Sequence, residues 1–420
     1  MKVLHISTSD TNGGAARATY RLHKGLQNIN VNSQMLVQEK YSDDTTVLAP
    51  KIRLSQGIAR AKLTFDVLPL KLYSQRDKTT FSLQWLPDGV IPKVTQIDPD
   101  IINLHWMSGG FIQIETIAKL PRPLVWTLHD MWAFTGGCHY SGECDRYTKS
   151  CGTCPLLKSS KDWDLSRWVW QRKAKAWRDL NLTIVTPSSW LAKCASSSSL
   201  FRDSRIEVIP NGIDTQSYKP INQYVAREIL NLPQDKQLIL FGSLQTTSEQ
   251  RKGFHFLQPA LQELSKSGWK DRLELVIFGV SKLESPPDFG LKANYLGTFN
   301  DDLSLALIYS AADVLVLPSI QDNLPNMVME AIACGTPCVA FKIGGMPDMI
   351  EHHKNGYLAQ PFHVEDLAQG IAWVLENPDR YQKLSHRARE KAEKEFTLEI
   401  QVLRYLDIYF NLHKEICKQP

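Results

Sequence analysis

Residues 321–337 read QDNLPNMVMEAIACGTP, and this stretch decides the fold class. The apolar run DVLVLPS, residues 313–319, precedes it, and the apolar run CVAF, residues 338–341, follows it. Between the two runs, NMVMEAIAC has the apolar spacing of a helix, and Gly335 and Pro337 provide its end. Strand, loop, helix and strand in this order predict a βαβ unit of a parallel sheet.

The same alternation of short apolar runs and helical patterns continues through the whole chain. The strand candidates are VLHIST, SQMLVQ, DIINLHW, LVWTLHD, LTIVTPS, IEVIPN, LILFGS, LELVIFG, ANYLG, DVLVLPS and CVAF. A chain of 420 residues also exceeds what one hydrophobic core usually supports. We therefore predict an α/β protein with two doubly wound, Rossmann-like domains.

The domain boundaries follow from turn signals and from the last strand candidate. Asn-Gly and a proline punctuate IPNGIDTQSYKP, residues 209–220, after a strand and before a new βα series. We predict a first domain over 1–209, with a cysteine-rich insertion at 136–156, and a second domain over 210–377. Residues 378–420 are helical by period, and we expect them to pack back toward the first domain.

Composition and charge limit the classes of function. The chain is 43% hydrophobic and 22% charged, as in a globular protein, and its net charge of +4 is too small to indicate nucleic acid as a partner. The start MKVLHISTSD lacks the regions of a secretory signal, and no run reaches the roughly 18 apolar residues that span a bilayer. We expect a cytoplasmic protein, with membrane contact limited to a peripheral one at the inner face of the plasma membrane.

Charged residues gather at predicted strand ends in the second half. Asp322 lies in the loop of the opening stretch, and Glu330 lies about one turn inside its helix. Arg251 and Lys252 follow the strand LILFGS, and a glycine pair at 344–345 follows the strand CVAF. Ligands of open parallel sheets bind outside the carboxyl ends of strands, where helix amino termini attract anions. The pattern predicts a site for a nucleotide diphosphate that carries a sugar.

The chain resembles the retaining GT-B glycosyltransferases of family four, the glycosyl transferases group 1. The resemblance covers nearly the whole chain and rests on these pieces in order: NGG, WTLHD, VTPSSW, VIPNGID, RKGF, YLG, SAADVLVLPS, EAIACGTPCVAF and GGMPDMI. It implies two Rossmann-like domains that face each other across a cleft. It also implies transfer of a sugar, with retention, to a saccharide or lipid-linked saccharide acceptor, in polysaccharide or glycolipid biosynthesis.

The resemblance implies a role for each matching residue. Glu330 matches the second glutamate of the family pattern E-x7-E, which holds the donor ribose, and Asp322 stands where the first glutamate faces the transferred sugar. Lys252 matches the phosphate-binding lysine. Ser243 replaces an arginine that many members carry, and Arg251 can supply the missing charge. The implied donor-binding residues are Gly13, Gly14, Arg251, Lys252, Leu324, Asn326 and Glu330.

In the first half, the resemblance implies a catalytic role for His129, which ends the strand of WTLHD and is expected to contact the donor sugar. His105 ends the preceding strand and is assigned to the acceptor side. Gly13 and Gly14 open a helix after the first strand, where backbone must approach a ligand or a packed strand closely. For a lone histidine, bonding to backbone groups is the alternative to a catalytic role.

We expect no catalytic metal, because no carboxylate pair of the DxD type occurs in a suitable position. The protein's task is then to stabilise the negative charge that develops on the departing diphosphate. Two alternatives remain open at the level of sequence. One is a nucleotide-sugar epimerase or hydrolase on the same fold, and the other is a nucleic-acid-binding protein built round a four-cysteine zinc site.

Four cysteines, Cys138, Cys144, Cys151 and Cys154, lie within one loop with the spacing C-x5-C-x6-C-x2-C. In a reducing compartment such a cluster favours a structural zinc over disulfides. Free thiols or labile bridges are the alternative.

The segment DWDLSRWVWQRKAKAWRDL, residues 162–180, places Trp163, Trp170 and Trp177 seven positions apart, among several basic residues. We predict one helical stripe of tryptophans, which packs either on the domain or on an anionic membrane surface.

Overall fold

The computed structural model describes residues 1–50, 53–121, 123–242, 250–280, 286–299 and 301–417. The chain divides into two compact units, which are Met1–Asn211 with Gln401–Pro420 (unit 1) and Gly212–Ile400 (unit 2). Each unit is built on a parallel sheet with helices, so the predicted fold class is confirmed.

The division of the chain differs in two respects from the ranges derived from the sequence. Unit 1 continues to Asn211, and unit 2 continues to Ile400, so most of the helical segment after residue 377 belongs to unit 2. Only the residues from Gln401 onward belong to unit 1.

Unit 1 contains one parallel sheet. Its strands are β1 (Lys2–Ser9), β2 (Asn32–Glu39), β3 (Val47–Leu48), β4 (Ile101–Leu104), β5 (Leu124–Thr127), β6 (Leu182–Thr186) and β7 (Arg205–Val208). In the described part of the unit, these seven strands pair in the order β3-β2-β1-β4-β5-β6-β7. Its first helices are α1 (Gly14–Asn28), α2 (Arg53–Asp66), α3 (Val90–Ile97), α4 (Ile114–Ile117), α5 (Leu165–Ala176) and α6 (Ser189–Ser197).

Unit 2 contains a second parallel sheet. Its strands are β8 (Gln237–Gly242), β9 (Leu273–Phe278), β10 (Lys292–Gly297), β11 (Val314–Leu317), β12 (Cys338–Phe341) and β13 (Gly356–Ala359). Over the described ranges, these six strands pair in the order β10-β9-β8-β11-β12-β13. Its helices are α7 (Gln223–Ile229), α8 (Phe254–Leu264), α9 (Asp302–Ala311), α10 (Asn326–Ala333), α11 (Met346–Met349), α12 (Val364–Glu376) and α13 (Pro378–Glu395).

The central strands of unit 2 are apolar because both faces of the sheet are covered. In β11 every residue is buried. Leu315 and Leu317 belong to one hydrophobic cluster, together with Ile332 of α10. Val314 and Val316 belong to a second cluster on the other face. The uninterrupted apolar run that predicted this strand is thus the consequence of two cores, one on each side.

The last helix, α14 (Leu398–Cys417), completes the core of unit 1. The Tyr409 hydroxyl accepts a hydrogen bond of 2.7 Å from the Asn103 amide of β4. The Tyr405 hydroxyl lies 2.9 Å from Thr127 Oγ1 of β5. Both tyrosine side chains are fully buried, so α14 is an integral part of this unit.

Candidate functional site

The charged residues of unit 2 lie at the carboxyl ends of two neighbouring strands. Arg251 and Lys252 lie in the 3-10 turn Gln250–Lys252, which follows β8 in the chain. Asp322 lies in the loop between β11 and α10, and β8 pairs with β11 in parallel. Because parallel strands end at the same edge of a sheet, the two loops meet there. The predicted grouping of the three residues is found in the structure.

The three side chains form one ion cluster, which we call the Asp322 cluster. Asp322 Oδ2 is 2.9 Å from Lys252 Nζ and 3.2 Å from Arg251 Nη1. Arg251 also donates to the Gln321 carbonyl at 3.0 Å, and the Asn323 amide donates to Asp322 Oδ1 at 3.1 Å. Asp322 is only 6% exposed. Its carboxylate therefore holds the two cations in fixed positions at the strand ends.

Electrostatics keeps the Asp322 carboxyl ionised. Burial alone would raise its pKa, but the charges of Lys252 and Arg251 lower the pKa of this carboxyl to about 2. The cluster has two cations and one anion, so it retains one positive charge at neutral pH. Such a centre attracts a ligand with two or more negative charges.

Two glycines allow the loops to approach each other. Gly253 has φ of 73°, and a side chain there would overlap the Pro318 carbonyl oxygen. Gly344 has φ of 51°, and a side chain there would overlap the Asp322 carbonyl oxygen. Both positions therefore require glycine for conformation and for space. Without side chains at these positions, the loops after β8 and β12 can pack closely against the segment between β11 and α10, which carries Asp322.

Glu330 lies inside α10 and is held by a tyrosine. Its side chain is 3% exposed, and the Tyr309 hydroxyl of α9 donates to Glu330 Oε2 at 2.8 Å. Burial, together with the neighbouring carboxylate, raises the pKa of Tyr309 well above its ordinary value, so Tyr309 stays a donor. The hydrogen bond fixes one carboxylate oxygen.

The other donor-binding candidates of unit 2 lie near the Asp322 cluster in the chain. Leu324 is buried in the core beside α10, and Asn326 is the half-buried first residue of that helix. Ser243 lies outside the described residues. The donor-binding roles of all these residues stay predictions.

In unit 1, Gly13 and Gly14 begin α1 directly after β1. Gly13 is the N-cap of the helix with φ of 98°, a conformation that glycine adopts without strain. Asp10 fixes the loop ahead of it. Its carboxylate is fully buried and accepts hydrogen bonds from the backbone amides of Tyr41 and Ser42, each at 2.9 Å. These hydrogen bonds therefore hold the segment before the glycine turn in a fixed conformation.

His129, His105 and His5 form a continuous series of rings, which we call the histidine chain. His105 Nδ1 is 3.2 Å from His129 Nε2, and His105 Nε2 is 3.0 Å from His5 Nδ1. His129 is half-buried, whereas His105 is 3% exposed and bonded through both ring nitrogens. An acceptor contact of His105 and a catalytic role of His129 stay predictions.

A second network lies beside His129. The Asp130 carboxylate is 2.6 Å from His139 Nδ1 and accepts a hydrogen bond of 2.8 Å from Trp106 Nε1. Burial opposes the charge of Asp130, but His139 lowers the pKa of this carboxyl below its ordinary value. Ser82 Oγ is 2.9 Å from His139 Nε2, so both ring nitrogens have a partner. This network fixes the loop that carries His129.

The four loop cysteines line one small cavity, which also contacts Arg146 and Ser166. They are free thiols, and burial raises the pKa of Cys151 to about 12. Among the residues that the structure describes, no three His, Cys, Asp or Glu side chains form a group that could hold a metal ion. The structural zinc stays a prediction from the sequence, and elemental analysis of the purified protein tests it.

The predicted stripe of tryptophans is wrong. Trp163 precedes Asp164, the N-cap of α5, and is 63% exposed, whereas Trp177 follows the helix and is 7% exposed. Trp177 packs against Trp126, with ring centroids 5.1 Å apart, in the apolar core. The spacing of seven misleads because α5 covers only the residues between these two tryptophans.

The basic residues of α5 also point in different directions. Arg172 forms an ion pair with Glu115 at 2.7 Å. Lys173 is fully buried, donates to the Trp132 and Thr135 carbonyls, and has a pKa that burial lowers to about 7. These two cations are therefore not offered to a membrane. No helix in the described residues is long and apolar enough to cross one.

Several residues of these networks carry no prediction from the sequence, among them His5, Asp10, Asp130, His139 and Tyr309. His5 and Asp10 are polar residues within or just after a buried strand, and a buried polar side chain requires a partner. That signal alone could have singled them out. Tyr309 lies in the apolar pattern of α9 and carries no signal of its own.

Two protein-family models match the chain. The model described as "Glycosyltransferase Family 4" matches residues 12–217, and the model described as "Glycosyl transferases group 1" matches residues 224–394. Together the two matches cover most of both units. The predicted family resemblance is confirmed.

Curated relatives with similar sequences are glycosyltransferases. The sulfoquinovosyl transferase SQD2 of Arabidopsis thaliana is 26% identical over 76% of this chain and 58% of its own length. A D-inositol 3-phosphate glycosyltransferase of Saccharomonospora viridis is 30% identical over 49% of this chain and 49% of its own length. The matched region therefore spans about half the length of these relatives.

Solved structures share the fold at low identity. Sucrose-phosphate synthase from Thermosynechococcus elongatus has a TM-score of 0.72 and 18% identity, covering 99% of this chain and 100% of its own. Anabaena Alr3699/HepE, solved in complex with UDP-glucose, has a TM-score of 0.65 and 17% identity, covering 98% of this chain and 100% of its own.

Proposed function

The chain belongs to the glycosyl transferases group 1 of glycosyltransferase family 4, and from that premise we propose that it transfers a sugar with retention of anomeric configuration. The donor is a nucleotide-diphosphate sugar, and the acceptor is a saccharide or a lipid-linked saccharide. The observation that carries this proposal is the Asp322 cluster, which holds Lys252 and Arg251 at adjoining strand ends of unit 2.

A diphosphate suits this cluster because of charge and geometry. The cluster retains one positive charge, and α10 begins four residues after Asp322 and supplies amide N–H groups at its start. Lysine and arginine side chains and helix amino termini are groups with which proteins bind phosphate. Glu330, fixed by Tyr309, supplies a carboxylate that accepts hydrogen bonds from the ribose hydroxyls.

The reaction breaks the bond between the anomeric carbon and the diphosphate oxygen and forms a bond from the same carbon to an acceptor oxygen, whose proton passes to the departing diphosphate. Negative charge grows on the diphosphate as the breaking bond lengthens, and the sugar acquires oxocarbenium character. Lys252 and Arg251 stabilise that charge without reorganisation because Asp322 already orients them. Removing one preorganised group of this kind typically costs about 3 kcal/mol of transition-state stabilisation, or roughly a hundredfold in rate.

In unit 1, His129 is the proposed contact to the donor sugar at the reaction centre, and the turn of Gly13 and Gly14 is the proposed phosphate-facing backbone. The rigid supports of both features favour such roles. Asp10 fixes the glycine turn, and the histidine chain fixes His129. We propose no role for a catalytic metal.

A lipid-linked acceptor would bring the protein to a membrane surface. Trp163 and Trp168 are 63% and 38% exposed, and Lys175 and Arg178 are exposed later in the same segment. Tryptophan and basic side chains both suit an anionic interface. Flotation with anionic and with neutral liposomes tests this contact, and no flotation with either kind rejects it.

The test of the proposed function begins with a thermal-shift screen of UDP, GDP and ADP, which selects the donor class. Transfer is then measured with the corresponding sugar donors, and NMR of the product determines its anomeric configuration. We expect Lys252→Ala to lower turnover at least about a hundredfold. Lys292→Ala is the matched control, because Lys292 is a 68% exposed lysine in an ion pair with Glu274 of the same unit.

Near-normal turnover of Lys252→Ala would reject the phosphate role of the cluster. A product with inverted configuration would reject retention. Release of free sugar that is unchanged by any acceptor would show that the enzyme is a hydrolase.

A further inference from the structure

The histidine chain runs diagonally across three neighbouring strands of unit 1. His5 lies in β1, His105 directly follows β4, and His129 follows β5, and these strands are adjacent in the sheet. The ring centroids are 5.2 Å apart for His5 and His105, and 5.4 Å apart for His105 and His129. The series is one ring wide and three rings long.

The strand register explains why the three rings meet. His5 pairs with Asn103, and Asn103 pairs with Val125. Side chains of a strand alternate between its faces, so residues two or four positions apart project to the same face. His105 lies two positions after Asn103, and His129 lies four positions after Val125. The diagonal therefore follows from the register of the three strands, continued one residue beyond β4 to His105 and two residues beyond β5 to His129.

The environment keeps the rings uncharged. His5 and His105 are 0% and 3% exposed, and burial lowers the pKa of both well below the ordinary value of 6.5. Burial lowers the pKa of His129 to about 4, although Asp130 opposes this change. His23, whose ring centroid is 6.0 Å from that of His5, lowers the pKa of His5 further. At neutral pH each ring of the chain thus carries a single proton.

A neutral imidazole has one N–H donor and one acceptor nitrogen. Each contact between two rings needs one N–H donor and one acceptor nitrogen. All N–H groups of the histidine chain must therefore donate in the same direction, either from His5 toward His129 or from His129 toward His5. In the first arrangement, His5 Nδ1–H donates to His105, and His105 Nδ1–H donates to His129 Nε2. His129 then carries its proton on Nδ1. In the second arrangement all donors are reversed, and His129 carries its proton on Nε2.

The inner end of the histidine chain favours one of the two arrangements. His5 Nε2 is buried and has no hydrogen-bond partner among the described residues. In the second arrangement this nitrogen would carry a buried N–H without an acceptor, and such orphaned donors are rare in folded proteins. In the first arrangement it is an acceptor without a donor, which is better tolerated. The first arrangement is therefore favoured.

We propose that His105 and His5 are positioning residues that hold His129 in the Nδ1–H tautomer. The geometry that carries this proposal is the unbroken series of three rings, closed at one end by the unpartnered His5 Nε2. His129 then acts as a hydrogen-bond donor to an oxygen of the donor sugar, and not as a general base. This last step rests on the proposed function, whereas the tautomer does not.

The direct test is the tautomer of His129 in the unmodified protein. The protein is produced with ¹⁵N-labelled histidine, and long-range ¹H–¹⁵N correlation spectra are recorded at neutral pH. Comparison with His129→Gln assigns the resonances. We expect a pyrrole-type Nδ1 and a pyridine-type Nε2 for His129. A pyridine-type Nδ1, or a doubly protonated ring, would overturn the proposal.

The second test removes the middle ring. We expect His105→Leu to leave His129 as a mixture of tautomers and to lower kcat by about ten- to a hundredfold, the cost of a misoriented catalytic group. The KM for the donor should change little. The control is His386→Gln, which alters an exposed histidine of α13. Unchanged kcat in a folded His105→Leu protein would overturn the positioning role.

The two tests separate this proposal from the proposed function. If no transferase activity is found in the unmodified protein, the proposed function fails, and the spectra still decide the tautomer. If transfer occurs but His129 is protonated on Nε2, only the proposal on the histidine chain fails.

Discussion

Replacement of Asp322 by asparagine removes the charge at the centre of the Asp322 cluster but keeps the shape of the side chain. The cluster lowers the pKa of this buried carboxyl from its ordinary value of 3.8 to about 2. A shift of nearly two units corresponds to about 2 kcal/mol of stability that depends on the ionised form. We therefore expect Asp322→Asn to lower the free energy of unfolding of unit 2 by about 2 kcal/mol at neutral pH.

The direction of the pH dependence follows from the lowered pKa. The folded state holds the proton less tightly than the unfolded state, so the stabilisation is complete above about pH 4 and is lost as the pH falls toward 2. The asparagine variant lacks this contribution at every pH. The stabilities of the two proteins should therefore converge in acid.

Differential scanning calorimetry of the ligand-free protein measures the effect. For a unit of this size, about 2 kcal/mol corresponds to roughly 4 to 8 °C in Tm. Asp271→Asn is the matched control, because Asp271 is an exposed aspartate of the same unit. A Tm equal to that of the unmodified protein at neutral pH, or a deficit that persists at pH 2, would refute the reasoning.

Three further predictions concern other contacts of the two units. Tyr309→Phe should lower stability by about 1 to 3 kcal/mol, because the buried hydrogen bond from the Tyr309 hydroxyl to Glu330 is lost, and an unchanged Tm would contradict this. Gly344→Ala should destabilise unit 2 by more than about 1 kcal/mol, since it adds strain at positive φ, and urea unfolding measures it. Because the pKa values of the three histidines are lowered in the folded state, the protein should be most stable above pH 6.5 and lose about 1 kcal/mol per buried histidine for each pH unit as the pH falls below that value. Thermal unfolding between pH 7 and 5 should therefore show a flatter dependence in His105→Leu than in the unmodified protein.

The strands could be predicted from the sequence where they are apolar on both faces. β11 and β12 consist of four buried residues each. A short apolar run of this kind indicates a buried strand, and a buried helix segment is the main alternative. β3 and β13 were not predicted. β3 has only two residues, and β13 begins with Gly356, which weakens any strand pattern. Both lie at sheet edges.

The candidate site could be predicted in its grouping but not in its contacts. The topological rule for parallel sheets places Asp322, Lys252 and Arg251 at one edge from strand order alone. The ion pairs among them depend on rotamers and loop geometry, which no one-dimensional pattern encodes. The Asp322 carboxylate is bonded to the two cations, and its predicted contact to the transferred sugar stays a prediction.

The histidine chain illustrates the same limit. His105 and His129 could be placed at neighbouring strand ends, since each follows an apolar run. Their partner His5 could not, because it lies in the middle of a strand, and only the register of β1 against β4 brings it to His105. The sequence pattern shows that His5 lies in a strand, but it does not show which residues of a neighbouring strand pair with it.

The position of α14 has a consequence for the synthesis of the protein. The hydroxyl partners of Asn103 and Thr127 belong to Tyr409 and Tyr405, which the ribosome adds only after the whole of unit 2. Until that helix leaves the exit tunnel, Asn103 and Thr127 of the nascent first unit lack these hydrogen-bond partners. The side of the unit 1 core that α14 covers is then also exposed. The unit that is translated first is therefore completed last, and the second unit can fold as an uninterrupted segment before it.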